Sequence, residues 1–184
     1  MTSNLHLLAR ATQALFATWL LTHCASITPA PTVAFTDHRH AMLHADLEYV
    51  DVVTGQKILV PAGFVTDHAS IPPSLRRYFE AGGQAYQYPA IIHDWLYWSQ
   101  ITNRAEADRI FAAAMEDCGV GEVKRKAIHA GVRAGGESAW KKNQKEREQG
   151  LFKVIPASYR DPRTWPANIT WPQFRQHLFD SGVR

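Results

Sequence analysis

His93-Asp94-Trp95-Leu96-Tyr97, followed by Ala107-Asp108-Arg109-Ile110-Phe111, is the stretch on which the fold turns. Pro89 can open a first helix, which continues through Ala90-Ile91-Ile92 to an end near Ser99. A second helix has its own start signal, because Asn103 precedes Glu106 at capping-box spacing. Its apolar face is Ala107, Ile110, Phe111, Ala114, Met115 and Cys118, and Gly119 suits its C-terminal cap. His93 lies roughly one and a half turns before the end of the first helix, and Asp108 roughly one and a half turns into the second. In an antiparallel helix hairpin the two fall at matching heights, and at interaxial spacings of ~8–10 Å their side chains can meet.

That meeting has chemical meaning. A carboxylate on one imidazole nitrogen fixes the tautomer and raises the basicity of the other nitrogen, which is how a general base is prepared. Adjacent helical residues diverge by ~100°, so Asp94 faces elsewhere, toward a neighbouring loop. There, with backbone oxygens, it could bind a hard cation such as calcium. Tyr97 shares the face of His93, and its hydroxyl is expected to hold Asp108. The bland alternative is a satisfied polar pair that only locks the helices, with Asp108 also pairing with Arg104 one turn earlier. Buried carboxylates are costly unless paired, so either reading needs the partners.

A second polar cluster, Phe64-Val65-Thr66-Asp67-His68-Ala69-Ser70-Ile71-Pro72, follows a strand, where sites often lie. Asp67 could complete a cation or hydrogen-bond network around His93. Ser70 could be a nucleophile with His93 as its base. The alternative is turn chemistry, with Asp67 and Ser70 bonding local backbone ahead of a short helix near Pro73. A transition-metal site from His68, His93 and carboxylates has no HExxH or Cys-rich spacing behind it.

Outward from these motifs, residues 38–67 are expected to form strands. Leu43, Leu47, Tyr49 and Val50/Val52/Val53 are β-formers, Thr54-Gly55 marks a turn, and Lys57-Ile58-Leu59-Val60 resumes before Pro61-Ala62-Gly63. A β-hairpin is the simple reading. A third helix is expected over Glu122 to Trp140, with a small-residue face of Val123, Ala127, Ala130, Gly131 and Ala134. Lys141 to Glu148 is charge-rich and expected to be solvated. Residues 121–153 carry nine Lys/Arg against four Glu, either a solvated helix end or a surface for anionic lipid. Residues 151–184 are expected to be an irregular packing arm anchored by Trp165, Trp171 and Phe174.

The first 26 residues differ from the rest. Arg10 is their only charged residue, and it precedes the apolar Ala14-Leu15-Phe16-Ala17-Thr18-Trp19-Leu20-Leu21. This is the layout of a secretory signal peptide, too short for a membrane span. Leu21-Thr22-His23-Cys24 also has lipobox character, so the chain is expected to be exported, periplasmic or lipid-anchored through Cys24. If Cys24 is consumed in that way, Cys118 is expected to be a buried free thiol. A linker over 27–37 and a single domain over 38–150 complete the expected organisation. At 184 residues, 46% hydrophobic and 20% charged, the chain has ordinary globular composition. Its net charge of +3 is too mild to imply nucleic acid, and no nucleic-acid partner is expected. Two cysteines rule out a disulfide scaffold.

Val60-Pro61-Ala62-Gly63-Phe64-Val65-Thr66-Asp67, Ala69-Ser70-Ile71-Pro72, His93-Asp94-Trp95-Leu96-Tyr97, Ala107-Asp108-Arg109-Ile110-Phe111, and Val132-Arg133 with Trp140 together resemble domain-of-unknown-function family 1353, found in bacteria and phages. The likeness covers about residues 40–140 and implies no activity. More distantly, His93-Asp94 with Tyr97 and then Asp108 is similar to the core of secreted phospholipase A2. In that family the His activates a water against an ester, the adjacent Asp binds calcium, a second Asp orients the His and a Tyr supports it. By position these are His93, Asp94, Asp108 and Tyr97. The cysteines that flank the pair in that family are absent here.

The expected fold is α+β, an N-terminal β-hairpin or small antiparallel sheet packed on a three-helix core with a phospholipase A2-like helix hairpin. The expected activity is ester or amide hydrolysis by a His-activated water, with His93, Asp108 and Tyr97 catalytic and Asp94 and Asp67 as calcium ligands. Calcium-assisted phospholipid hydrolysis is its specific form, implying phospholipid or another envelope component as partner and peripheral membrane contact. The alternatives are a non-enzymatic phage- or envelope-associated structural module and a cell-wall hydrolase.

Overall fold

The computed structural model of the protein describes residues 26–67 and 84–183. Among the described residues five short strands come first: β1 (Thr32–Ala34), β2 (Ala41–Leu43), β3 (Leu47–Val50), β4 (Lys57–Val60) and β5 (Val65–Thr66). Three helices follow, α1 (Gln84–Ser99), α2 (Arg104–Asp117) and α3 (Glu122–Glu148), and after two 3-10 turns a fourth, α4 (Trp171–Asp180). The class is α+β, as expected. None of the described helices is long and apolar enough to cross a membrane.

The strands form two sheets rather than one hairpin. β1, β2 and β5 make an antiparallel sheet in that order, while β3 and β4 pair as a hairpin with Leu47 opposite Val60 and Val50 opposite Lys57. Val52 and Val53 are not strand residues. They sit in the β3–β4 turn, 62% and 69% exposed, because the buried carboxylate of Asp51 gathers that turn around itself. The expected linker over 27–37 is also structured. It contains β1, and Ile27 and Ala30 are buried while Ile27 bridges to Tyr49. Burial of those apolar side chains offsets the entropy of ordering the segment.

Gly63 joins the sheet to the C-terminal segment. Its φ is +85°, and a Cβ there would lie 2.4 Å from the Ile155 carbonyl oxygen. Only glycine fits both demands. Its N–H donates to the Leu43 oxygen at 2.7 Å, and its oxygen accepts from the Ile155 N–H at 2.9 Å. Residues 151–183 are therefore not irregular throughout. The Thr170–Gln173 capping box starts α4, whose Trp171, Phe174 and Leu178 pack with Phe35, Met42, Val65 and Ile155.

The larger core lies between the sheets and the helices. Leu43, Leu47, Tyr49, Ile58, Val60 and Phe64 face Ile91, Ile92, Leu96 and Trp98 of α1 and Ile110 and Ala114 of α2. α1 is already helical at Gln84, with Pro89 inside it rather than at its start. A proline there forgoes one backbone bond, and the buried Ile91, Ile92 and Leu96 behind it supply the packing that tolerates the loss. The start of α2 is as expected, since Asn103 Oδ1 accepts from the Glu106 N–H at 2.9 Å. Gly119 ends it at φ +77°, with its N–H to the Glu116 oxygen and that of Val120 to the Met115 oxygen, a Schellman closure.

α3 differs from expectation in length and in face. It runs to Glu148 and buries Ile128, Val132, Gly136 and Asn143. Ala127, Ala130 and Ala134 are exposed instead, and Val123 is 83% exposed. The bulkier apolar residues took the interior, which is what area burial favours.

Candidate functional site

The two decisive motifs meet. His93 Nε2 lies 2.9 Å from Asp108 Oδ1, and both side chains are fully buried. The Tyr97 hydroxyl donates to the same Oδ1 at 2.6 Å. Asp108 Oδ2 accepts from Arg104 Nη1 at 3.3 Å and from Arg133 Nη1 at 3.1 Å. Both oxygens of one carboxylate are thus engaged from three helices. Burial works against its ionisation, but hydrogen bonds from His93, Tyr97 and Arg133 outweigh that and hold it below the usual carboxylate range. Burial, then the Asp108 carboxylate, pushes the Tyr97 phenol up, so it stays a donor.

An ionised carboxylate only accepts, so in the neutral ring the proton between Asp108 and His93 sits on Nε2 and the lone pair on Nδ1. Nδ1 is buried and has no hydrogen-bond partner among the described residues. The ring is held between Tyr97, at 4.1 Å between centroids, and Phe111, at 4.6 Å and 26°. This leaves one oriented, unsatisfied acceptor in a low-dielectric setting, a state that normally calls for a donor.

Asp94 faces away from this pair, as the helical geometry requires. It is 2% exposed and accepts from the Thr66 hydroxyl of β5 at 2.5 Å. Asp67, the next residue on, has its carboxylate 4.0 Å from Lys153 Nζ, which also lies over the Trp98 ring. A calcium ion takes about 6–8 oxygens. Among the described residues no group of three or more His, Cys, Asp or Glu side chains converges, and an ammonium beside Asp67 disfavours a second cation. His68 and Ser70 lie outside the described residues, as do the leader and Cys24.

Cys118 is buried and disulfide-bonded, not a free thiol. Described residues line cavities at two places. One of about 420 Å³ is lined by Ala85, Tyr86 and the α2–α3 connection, and one of about 250 Å³ by β1 and residues 165–169. Neither is lined by His93 or Asp108.

Sequence reasoning brought out His93, Asp108, Tyr97 and the Arg104 contact. It gave no role to Arg133, whose signal was its place in the Val132-Arg133 motif, nor to Gly136. A Cβ at Gly136 would meet the Tyr97 hydroxyl, so that glycine makes room for the bond to Asp108. The excess positive charge of α3 is also less free than its count implies. Lys126, Lys141 and Lys142 pair with Glu122, Glu137 and Glu146 on the same helix, and Arg125 pairs with Glu116.

No curated protein and no solved structure matches the chain, so these comparisons lend no support to the phospholipase A2 likeness. One family does match, over residues 41–132, half the chain, from β2 into α3 and with every residue of the His93–Asp108–Tyr97 group inside it. The chain belongs to that family, described as Protein of unknown function (DUF1353).

Proposed function

We propose that the protein is an exported hydrolase in which His93 activates a water against an ester, a phospholipid ester being the specific candidate. One observation carries the reading: a buried imidazole whose Nε2–H is committed to Asp108, leaving an oriented lone pair on Nδ1. In the reaction, Nδ1 takes a proton from water as its oxygen bonds to the acyl carbon. The ester C–O bond then breaks, and the proton passes from Nδ1 to the leaving alkoxide. Asp108 holds the tautomer and offsets the imidazolium charge, and Tyr97 holds Asp108.

A second reading has its own observation. His93 and Asp108 are fully buried, and Asp108 is satisfied by four donors from three helices. That arrangement equally serves a non-enzymatic module whose polar cluster locks the helices.

Release of labelled fatty acid from phospholipid vesicles, with calcium or with chelator, separates the two. The hydrolase reading expects release by the wild type and its loss in folded His93→Ala. Loss of release with chelator alone would add calcium through residues outside those described. The structural reading expects inert wild type and a His93→Ala protein destabilised by ~1–3 kcal/mol or more.

A further inference from the structure

We propose that Arg133 is a positioning residue for the His93 base, acting through Asp108. This deepens the hydrolase reading and rests on it. A carboxylate turns readily about its terminal torsion, which has broad two-fold preferences, so its two oxygens are not distinguished by the chain itself. Here they are distinguished by their donors. Oδ2 takes the two guanidinium bonds, and Oδ1 takes the imidazole and the phenol. All four bonds to the ionised carboxylate are charge-assisted, but only the two guanidinium bonds are charged on both sides, so the guanidinium pair claims its oxygen and leaves the other for His93.

Arg104 alone cannot do this from outside, because it sits on the same helix as Asp108, one turn earlier. Arg133 reaches in from α3, and Arg104 also donates to the Arg133 carbonyl oxygen at 3.1 Å. The three residues close a ring across α2 and α3. The Arg133 bond adds to those of His93 and Tyr97 in keeping Asp108 an anion despite burial, and an anion keeps the proton of the neutral ring on Nε2. The Arg133 side chain is 41% exposed, and when it is shortened Arg104 still pairs with Oδ2, so the buried carboxylate keeps a cation.

The test is Arg133→Gln and Arg133→Lys in the full chain, with folding checked by circular dichroism. Ring-nitrogen NMR of His93 reports which nitrogen carries the proton and how fast that proton exchanges. Vesicle hydrolysis reports turnover. For Arg133→Gln we expect Nε2–H exchange to accelerate about tenfold and kcat to fall about tenfold at unchanged KM, with partial recovery of both in Arg133→Lys. A wild-type ring spectrum and exchange rate in Arg133→Gln would overturn the proposal. Inert wild type with altered exchange in Arg133→Gln would remove the hydrolase reading while leaving Arg133 as the residue that positions the pair.

Discussion

Gly136 of α3 backs directly onto the Tyr97 hydroxyl of α1: a Cβ built on that glycine would lie 2.3 Å from the phenolic oxygen. The same hydroxyl donates to Asp108. Gly136→Ala must therefore displace Tyr97, Asp108 or the α3 backbone. We expect a loss of ~1–3 kcal/mol in urea unfolding, from overpacking together with a strained hydrogen bond. Adding Tyr97→Phe removes the clashing oxygen, so the double variant should lose less than the sum of the singles. Strict additivity would show that the glycine has some other purpose.

Arg109 and Asp51 make a separate prediction, on stability alone. Asp51 is fully buried at the β3–β4 turn and bonds Thr54 Oγ1 and the Val53 N–H, while Arg109 of α2 reaches it with both Nη atoms. Arg109 also pairs with Glu106. Arg109→Met strands a buried carboxylate, at a cost of about 2–4 kcal/mol, moderated because Arg109 is 32% exposed. Asp51→Asn in the same chain should restore part of it. A change in unfolding free energy below ~0.5 kcal/mol would mean that the hairpin does not depend on this pair.

Asp37 should contribute a separable share of the acid sensitivity. Burial opposes its ionisation, yet N–H groups of Arg39, His40 and Trp171 and the His40 ring lower it from the ordinary 3.8 to about 2. A depressed carboxylate stabilises the fold above its ordinary value, and that contribution is lost as pH falls toward the folded value. Between pH ~4 and ~2 the wild type should therefore lose up to ~2 kcal/mol that Asp37→Asn does not lose. The readout is paired unfolding curves across that window, and parallel pH dependence would refute it. Because Asp37 accepts from the Trp171 N–H, the loss should appear first in signals from α4.

The cysteines offer a test of the leader. Cys118 is disulfide-bonded, and the chain has one other cysteine, Cys24. A sulfur in a disulfide cannot also carry a lipid thioether, so an intramolecular bridge and lipidation at Cys24 exclude one another. For the full-length chain before any leader cleavage, we expect intact-protein mass spectrometry to show no alkylated thiol before reduction and two after it. One reactive thiol and a lipid mass would instead establish the anchored form.

Local rules made much of this protein legible in advance. The Asn103–Glu106 cap, the Gly119 stop and the i, i+4 step from His93 to Tyr97 are properties of a few adjacent residues. Helical geometry alone then carries His93 and Asp108 to matching heights. The same rules were silent or misleading where a choice between faces or partners was needed. On α3 the alanines and Ile128-Val132 are both helical stripes, and spacing cannot say which turns inward. Thr32–Ala34 has a weak local signal and is ordered by pairing with Ala41–Leu43, while Trp171–Asp180, started by its local capping box, is held by burial of Trp171, Phe174 and Leu178 with Met42, Val65 and Ile155.

By itself, then, the amino-acid order determined the α+β class, the two ends of α2 and the pairing of an imidazole with a carboxylate, because each depends on contacts close in sequence or on regular helix geometry. Only the folded chain decided that Arg133 completes that carboxylate, that Gly136 admits the tyrosine and that the Nδ1 lone pair is enclosed. Those facts depend on which groups from distant segments exclude water together, and desolvation is a property of the whole packed interior.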